Sequence, residues 1–330
     1  MTEAKIPKLH LGLTPWDMHT ATMAEQARLA ESYGYDSIWL PENHFSGPGA
    51  LPDPLMLLAT MAATTQRIAL GTTSYLLPLR HPLQAAEQVA VLDQLSNGRL
   101  ILGLGRGYQA PTYSAFGIAM RQKRAIFAES LGIMCRAWAG EELRMLEDAT
   151  PVTLAPLPVQ RPHPPLWVAA FGPKALGQVG SLGLPYLASP VESRQDLASN
   201  LALLREACLN AGHPLPQAVP VMRTMFVSDN AEQVAQVRQV LGLRMKEMAE
   251  SGPAHLAKAA QASVDDVAIV GNAIEVQEQV ARYRSELGVT HLIATRLRIS
   301  RSDAVGGKNG VDSQALQLSA ERLPEILAEH

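Results

Sequence analysis

Cysteine is nearly absent from this chain: there are two among 330 residues, Cys135 and Cys208. Both fall inside stretches of helical spacing, which excludes a disulfide framework and suits a reducing cytoplasm. The nine histidines show no metal-ligand spacing and no Cys/His cluster, so no metal is expected. Apolar residues make up 47% of the chain, yet no apolar run reaches the length of a membrane span. Residues 1–8 carry Lys5 and Lys8 but no following apolar core of signal-peptide length. With a net charge of −3 and no basic run, neither nucleic acid nor an anionic membrane is an expected partner. There is no G-x-S-x-G nucleophile elbow, no short internal repeat and no heptad seam.

What the chain does have is alternation. Short apolar runs read as strands at 9–13, 36–40, 68–70, 100–104, 166–170, 186–188, 219–227 and 291–295. Helical spacing occupies 22–32, 54–64, 83–95, 123–138, 174–182, 194–210, 231–248, 273–287 and 313–327. Eight strands alternating with helices predict an α/β fold, specifically a (β/α)8 TIM barrel forming one domain over residues 1–330. The Pro-rich stretch 151–165 and the segment 248–267 read as insertions at the C-terminal face. A doubly wound sheet in two domains is the alternative.

In such a barrel the chemistry sits where strands end. Glu42, Asn43 and His44 follow the second strand, and Thr73 and Ser74 the third. Arg106 and Tyr108 follow the fourth; Ala170, Phe171, Gly172 and Pro173 follow the fifth and open a helix near Lys174. A histidine beside a carboxylate can titrate near neutrality and pass a proton. Gly103-Leu104-Gly105-Arg106-Gly107-Tyr108 lets backbone approach a ligand closely, and a guanidinium binds phosphate as a fork. A helix start after Gly172 offers N–H groups to an anion. Arg67, Asp93, Gln94 and Arg99 read as pins for turns and helix packing. The polar, Gly-rich loop 296–310 reads either as a substrate-facing lid or as a plain surface loop.

Several stretches also carry a likeness to a known family. They are Tyr33-Gly34-Tyr35-Asp36-Ser37-Ile38-Trp39-Leu40-Pro41-Glu42-Asn43-His44-Phe45, the whole of 71–108, Arg161-Pro162-His163-Pro164-Pro165-Leu166-Trp167-Val168-Ala169-Ala170, and more weakly Ile269-Val270-Gly271-Asn272 and 287–293. In this order they resemble the luciferase-like flavin monooxygenases, the group around bacterial luciferase and its deazaflavin-using relatives. The resemblance implies a flavoprotein oxidoreductase, a monooxygenase that takes reduced FMN from a separate flavin reductase and inserts oxygen from dioxygen into a small organic substrate. It places Arg106 at the flavin phosphate and Thr73–Ser74 at a non-proline cis peptide facing the flavin. It places Ala170, Phe171, Gly172 and Pro173 at the phosphate or ribityl chain, Asn43 and Tyr108 among the cofactor-binding residues, and His44 as the proton-handling catalytic residue.

Two departures stand out. Luciferase has two consecutive histidines, the first catalytic, and Asn43 occupies that first place here. Luciferase has a glutamate and a serine where this chain has Phe171 and Gly172, so backbone N–H groups would have to serve. A single histidine before phenylalanine is also the pattern of the deazaflavin relatives. A deazaflavin coenzyme and hydride transfer are therefore the alternative reading, and a non-catalytic flavin-binding protein is a third. Family members commonly pair through helices beside the first strands, which implies a homodimer through 54–64 and 83–95.

Overall fold

In the computed structural model the described residues are 8–47, 49–148, 150–251, 262–295, 297 and 313–328. In chain order the first elements are β1 (His10–Leu13), α1 (Met23–Tyr33), β2 (Ser37–Leu40), α2 (Pro54–Thr64), β3 (Ala69–Thr72) and β4 (Tyr75–Leu76). Then come α3 (Pro82–Leu95), β5 (Leu100–Gly105), α4 (Ala110–Ala115), α5 (Lys123–Trp138), β6 (Leu166–Ala169), α6 (Pro173–Ser181) and β7 (Tyr186–Leu187). The chain continues with α7 (Arg194–Asn210), β8 (Pro220–Val227), α8 (Ala231–Ser251), α9 (Val264–Val267) and β9 (Ala268–Gly271). It closes with α10 (Ala273–Leu287), β10 (His291–Thr295) and α11 (Ser313–Leu327).

These elements form two compact units. A mid-chain unit holds Asp17–Leu29 and Ile38–Ala169; a terminal unit holds Met1–Trp16, Ala30–Ser37 and Ala170–His330. In the mid-chain unit β5 is the central strand, parallel to β3, β4 and β6. β3 and β4 run along the same edge of β5, separated by Thr73 and Ser74, whose peptide bond is cis. The strands are buried on both faces, so they read as continuous apolar runs. Trp39 and Trp167 stack at 4.8 Å in this core. A side chain at Gly71 would overlap the Trp39 indole, which is why the strand beside it carries glycine.

In the terminal unit β10 lies between β1 and β8, parallel to both. β9 pairs with the second half of β8, and Ala188, just beyond β7, bridges to its first half at Val221. Helix ends follow their sequence signals. Asn272 and Glu275 form a reciprocal cap on α10, and Gly288 ends that helix in the left-handed conformation. Ser193 caps α7 by accepting from Asp196 N–H. Phe226, Val237, Val240, Leu241, Ala268 and Val270 pack one core of this unit.

Parallel strands joined by helices make this an α/β fold, as the sequence predicts. Among the described residues there are two strands beyond the eight expected, β4 and β9. β4 is two residues long, beyond the reach of a periodicity argument. β9 is four residues long and directly abuts the segment 248–267, read from sequence as an insertion. Part of that segment, 252–261, lies outside the described residues, as does most of the loop 296–310. The Pro-rich stretch 151–165 holds no helix and no named strand, and Val152 pairs back onto Leu143.

Candidate functional site

The turn after β2 is organised by one carboxylate. The Glu42 side chain is fully buried. Its Oε1 meets His44 Nε2 at 2.7 Å and accepts from Arg80 Nη1 at 2.8 Å. Its Oε2 accepts from the Leu76 N–H at 2.9 Å. Arg80 also lies 4.0 Å over the Tyr75 ring and donates to the Leu76 carbonyl at 3.2 Å. A buried carboxylate with this many partners is satisfied, and removing any one exposes the rest to a desolvation cost. The His44 ring meets Phe116 edge-on at 5.1 Å and Phe45 at 5.9 Å. His44, Phe45, Pro52, Leu79, Arg80 and Phe116 line a cavity of about 380 Å³. Phe45 is 72% exposed at its rim. Asn43 helps to close the loop: its Oδ1 accepts from Ser46 Oγ at 2.7 Å and from Leu51 N–H at 3.1 Å.

Arg106 follows the end of β5 and is 7% exposed. Its Nη2 donates to the Ala169 carbonyl at 3.3 Å, and its guanidinium lies 5.5 Å from the Phe127 ring. The Arg106 carbonyl accepts from the Tyr113 hydroxyl, and the Gly107 carbonyl from Lys123 Nζ at 2.9 Å. Burial first, and the Arg124 charge second, pull the Arg106 pKa below its ordinary value. Burial, then Arg106 and Arg124, do the same to Lys123. Burial pushes the Tyr113 phenol up to about 12. The neighbours that move the Arg106 and Lys123 pKa values are thus other cations and one phenol. Lys123 and Arg124 open α5, whose first turn has no acidic residue. Cations there oppose the helix dipole. Three cationic side chains thus lie around the turn after β5. Tyr108, two residues on, is 46% exposed.

Thr73 and Ser74 form the bulge between β3 and β4. Thr73 N–H donates to Leu40 O at 2.7 Å, while Thr73 Oγ1 is buried without a hydrogen-bond partner. Ser74 packs on the backbone of β5 so closely that a Cβ at Gly105 would overlap its Oγ. A buried hydroxyl left over is what a polar ligand edge would satisfy. Together with the cations around Arg106, these residues fit a ring system carrying a phosphate.

The remaining predicted residues lie in the terminal unit. Gly172 is the N-cap of α6, with φ 77°, and Pro173 is its first residue. No side chain caps that end, and a Cβ at Gly172 would meet nothing within 4 Å. Phe171 and Ala170 precede it in the chain. Backbone N–H groups are therefore what this segment offers an anion.

The structure gathers Glu42, His44 and Arg80 around one cavity, and Arg106, Tyr113 and Lys123 around the turn after β5. Arg80, Phe116, Tyr113, Lys123 and Arg124 are absent from the sequence-derived site. Only the Lys123-Arg124 pair leaves a sequence signal, two cations at a helix start. Arg99 and Asp93 act as the expected pins: Arg99 donates to the carbonyls of Ala62, Thr65, Ile68 and Ser96. Asp93 accepts twice from Gln160. Among the described residues no group of His, Cys, Asp and Glu could hold a metal ion, and no helix is long and apolar enough to cross a membrane.

Comparison with known proteins gives this geometry a family. The chain is 27% identical over 215 residues to the oxygenase component of a flavin-dependent trigonelline monooxygenase from Acinetobacter baylyi, covering 64% of this chain and 60% of that protein. The first curated relatives are likewise matched over only 61%, 46% and 54% of their length. Among solved structures, the fold matches the oxygenating constituent of 3,6-diketocamphane monooxygenase from Pseudomonas putida in complex with FMN. That match has a TM-score of 0.78 at 20% identity, over 97% of this chain and 98% of that one. It also matches a coenzyme F420-dependent tetrahydromethanopterin reductase from Methanopyrus kandleri, with a TM-score of 0.67 at 18% identity, over 97% and 99% of the two chains. The family model for luciferase-like monooxygenases matches residues 7–291, and the chain belongs to that family.

Proposed function

We propose that the protein is a flavin-dependent monooxygenase that uses reduced FMN and dioxygen to oxygenate a small, largely apolar organic molecule. The observation that carries this reading is Arg106, buried at the end of a Gly-rich strand, with Lys123 bonded to the next carbonyl and the Arg124 charge close enough to lower the Arg106 pKa. Reduced FMN, when bound, supplies the electrons that let dioxygen give one oxygen atom to the substrate and the other to water. Arg106 holds the phosphate in a fork. Thr73 Oγ1 gives its unused hydrogen-bonding capacity to the ring. Glu42 accepts from His44 Nε2–H, which leaves Nδ1 as the atom that takes or returns a proton. Phe45, Pro52, Leu79 and Phe116 exclude water and set the substrate's apolar character.

In this reading the whole chain acts as one (β/α)8 barrel with its chemistry at the carboxyl ends of the strands. A separate reductase supplies the reduced flavin, in line with the description of the trigonelline enzyme as an oxygenase component. The chain works in the cytoplasm, in keeping with two free thiols, and as a homodimer through α2 and α3.

One observation favours a second reading. Asn43 commits its Oδ1 to Ser46 and Leu51, so the place of luciferase's first histidine offers no base. Hydride transfer with a deazaflavin needs no such base there. A titration of the purified protein with oxidised FMN, reduced FMN and the deazaflavin, followed by exposure to air, decides between them. Preference for reduced FMN and a transient blue-shifted flavin absorbance in air support the monooxygenase. Tight deazaflavin binding with weak FMN binding overturns it. Binding of either flavin with no turnover of any added organic substrate leaves the non-catalytic flavin-binding protein.

A further inference from the structure

The turn after β5 has both of its first two carbonyls occupied by side chains from the two helices that follow it. Tyr113 Oη–H donates to the Arg106 carbonyl from α4, and Lys123 Nζ donates to the Gly107 carbonyl at 2.9 Å from the start of α5. Tyr113 is buried, and Lys123 is held in a partly buried place against two other cations. Fastening a loop does not by itself call for a lysine here, since a neutral donor would do so without charge repulsion. Gly107 takes one of the three ammonium protons, and the charge remains directed at the same turn as Arg106.

We propose that Tyr113 and Lys123 are positioning residues for Arg106. They fix the Arg106–Gly107 backbone from two helices, and the Lys123 charge makes the turn select a phosphate monoester over the same ring system without phosphate. The proposal rests on the phosphate-site reading above. It adds that selectivity is built by residues outside the Gly-rich loop, one of them an uncommon cation at a helix start.

The test is a fluorescence titration of the full-length protein with FMN and with riboflavin, for the wild type, Tyr113→Phe, Lys123→Met and Lys123→Arg. The melting temperature of each ligand-free protein is measured alongside. Loss of a charge-assisted contact corresponds to about tenfold in affinity. Lys123→Met is therefore expected to lower the preference for FMN over riboflavin by about that factor. Tyr113→Phe, which removes a neutral hydrogen bond, is expected to lower it about three- to tenfold. Lys123→Arg recovers most of the preference. Riboflavin affinity stays within about twofold throughout, because the ring site is untouched. An undiminished preference in both Tyr113→Phe and Lys123→Met overturns the proposal, as does an equal loss for FMN and riboflavin, which marks a purely structural role. A wild type that binds FMN no more tightly than riboflavin removes the phosphate-site reading itself, and the proposal falls with it. Either neutral variant carries the test should the other fail to fold.

Discussion

Glu42 grips His44 by its Nε2 at 2.7 Å and gives the same carboxylate oxygen to Arg80 at 2.8 Å. The histidine is thereby fixed in orientation by a group that is itself neutralised by a guanidinium. Glu42→Ala would leave Arg80 and the Leu76 N–H without their acceptor in a buried place. Breaking a buried pair on one side costs about 3–5 kcal/mol; Arg80 retains some solvent contact, so the lower end applies. Urea unfolding should show a loss of about 3 kcal/mol. His44→Asn, by contrast, should leave flavin affinity unchanged and lower kcat by about 10²–10⁴ if its proton is used in turnover. An unchanged kcat would return His44 to a structural part in the cavity wall.

Gly71 lies against the face of Trp39, and any Cβ there would overlap the indole. Trp39 cannot retreat, because it is fully buried and stacked on Trp167. Gly71→Ala is expected to destabilise by about 1–3 kcal/mol through overpacking. The same substitution at Gly177, where a Cβ meets nothing within 4 Å, is the matched control and should be neutral or slightly stabilising. Equal midpoints for the two variants would show that the strand can shift to make room.

How legible each feature is in this sequence depends on how locally it is encoded. The helices Lys123–Trp138, Arg194–Asn210 and Ala273–Leu287 end where the sequence places them. For α10 the reason is plain: Asn272, Glu275 and Gly288 are local signals that cap it at both ends. The strand Tyr75–Leu76, at two residues, is too short to show a period and is set by its pairing with β5, while Ala268–Gly271 is set by its pairing with β8. The site divides the same way. His44, Thr73, Ser74 and Arg106 follow strands and are legible as strand ends. Arg80 reaches Glu42 across 38 residues, and Lys123 reaches Gly107 across 16, so neither contact leaves a mark in local sequence. Asn43 reads as a site residue from its neighbours, but its carbonyl oxygen is committed to the loop.

A second buried carboxylate gives the terminal unit a pH dependence. Glu192 accepts from the Tyr186 hydroxyl, from Ser189 N–H at 2.7 Å and from Asn200 Nδ2 at 2.6 Å. Burial outweighs these donors and raises its pKa from 4.5 to about 7. A carboxyl raised on folding is protonated in the native state while the unfolded chain has already ionised. Its contribution is therefore present in full below about 4.5, declines as pH rises, and is gone above about 7. The decline amounts to at most about 3–4 kcal/mol. Urea midpoints between pH 5 and 8 should fall with pH in the wild type and fall less in Glu192→Gln. Parallel profiles for the two would mean that Glu192 is ionised in the folded protein and that its donors, not burial, set its state.

Helices α2 and α3 expose more apolar surface than their packing in the mid-chain unit uses. Met56 on α2 is 69% exposed, and Leu95 and Val91 on α3 are 60% and 43% exposed. Large apolar side chains exposed on two helices offer a surface that another chain can cover. A second copy of this chain is the expected cover, so sedimentation at micromolar concentration should give the mass of a dimer. Placing a charge in the centre of such a contact leaves it buried and unpaired on association. Met56→Glu with Leu95→Glu should shift the protein to monomer while the melting temperature of the fold stays within a few degrees. A monomeric wild type, or a dimer indifferent to both glutamates, would place the pairing surface elsewhere or remove it.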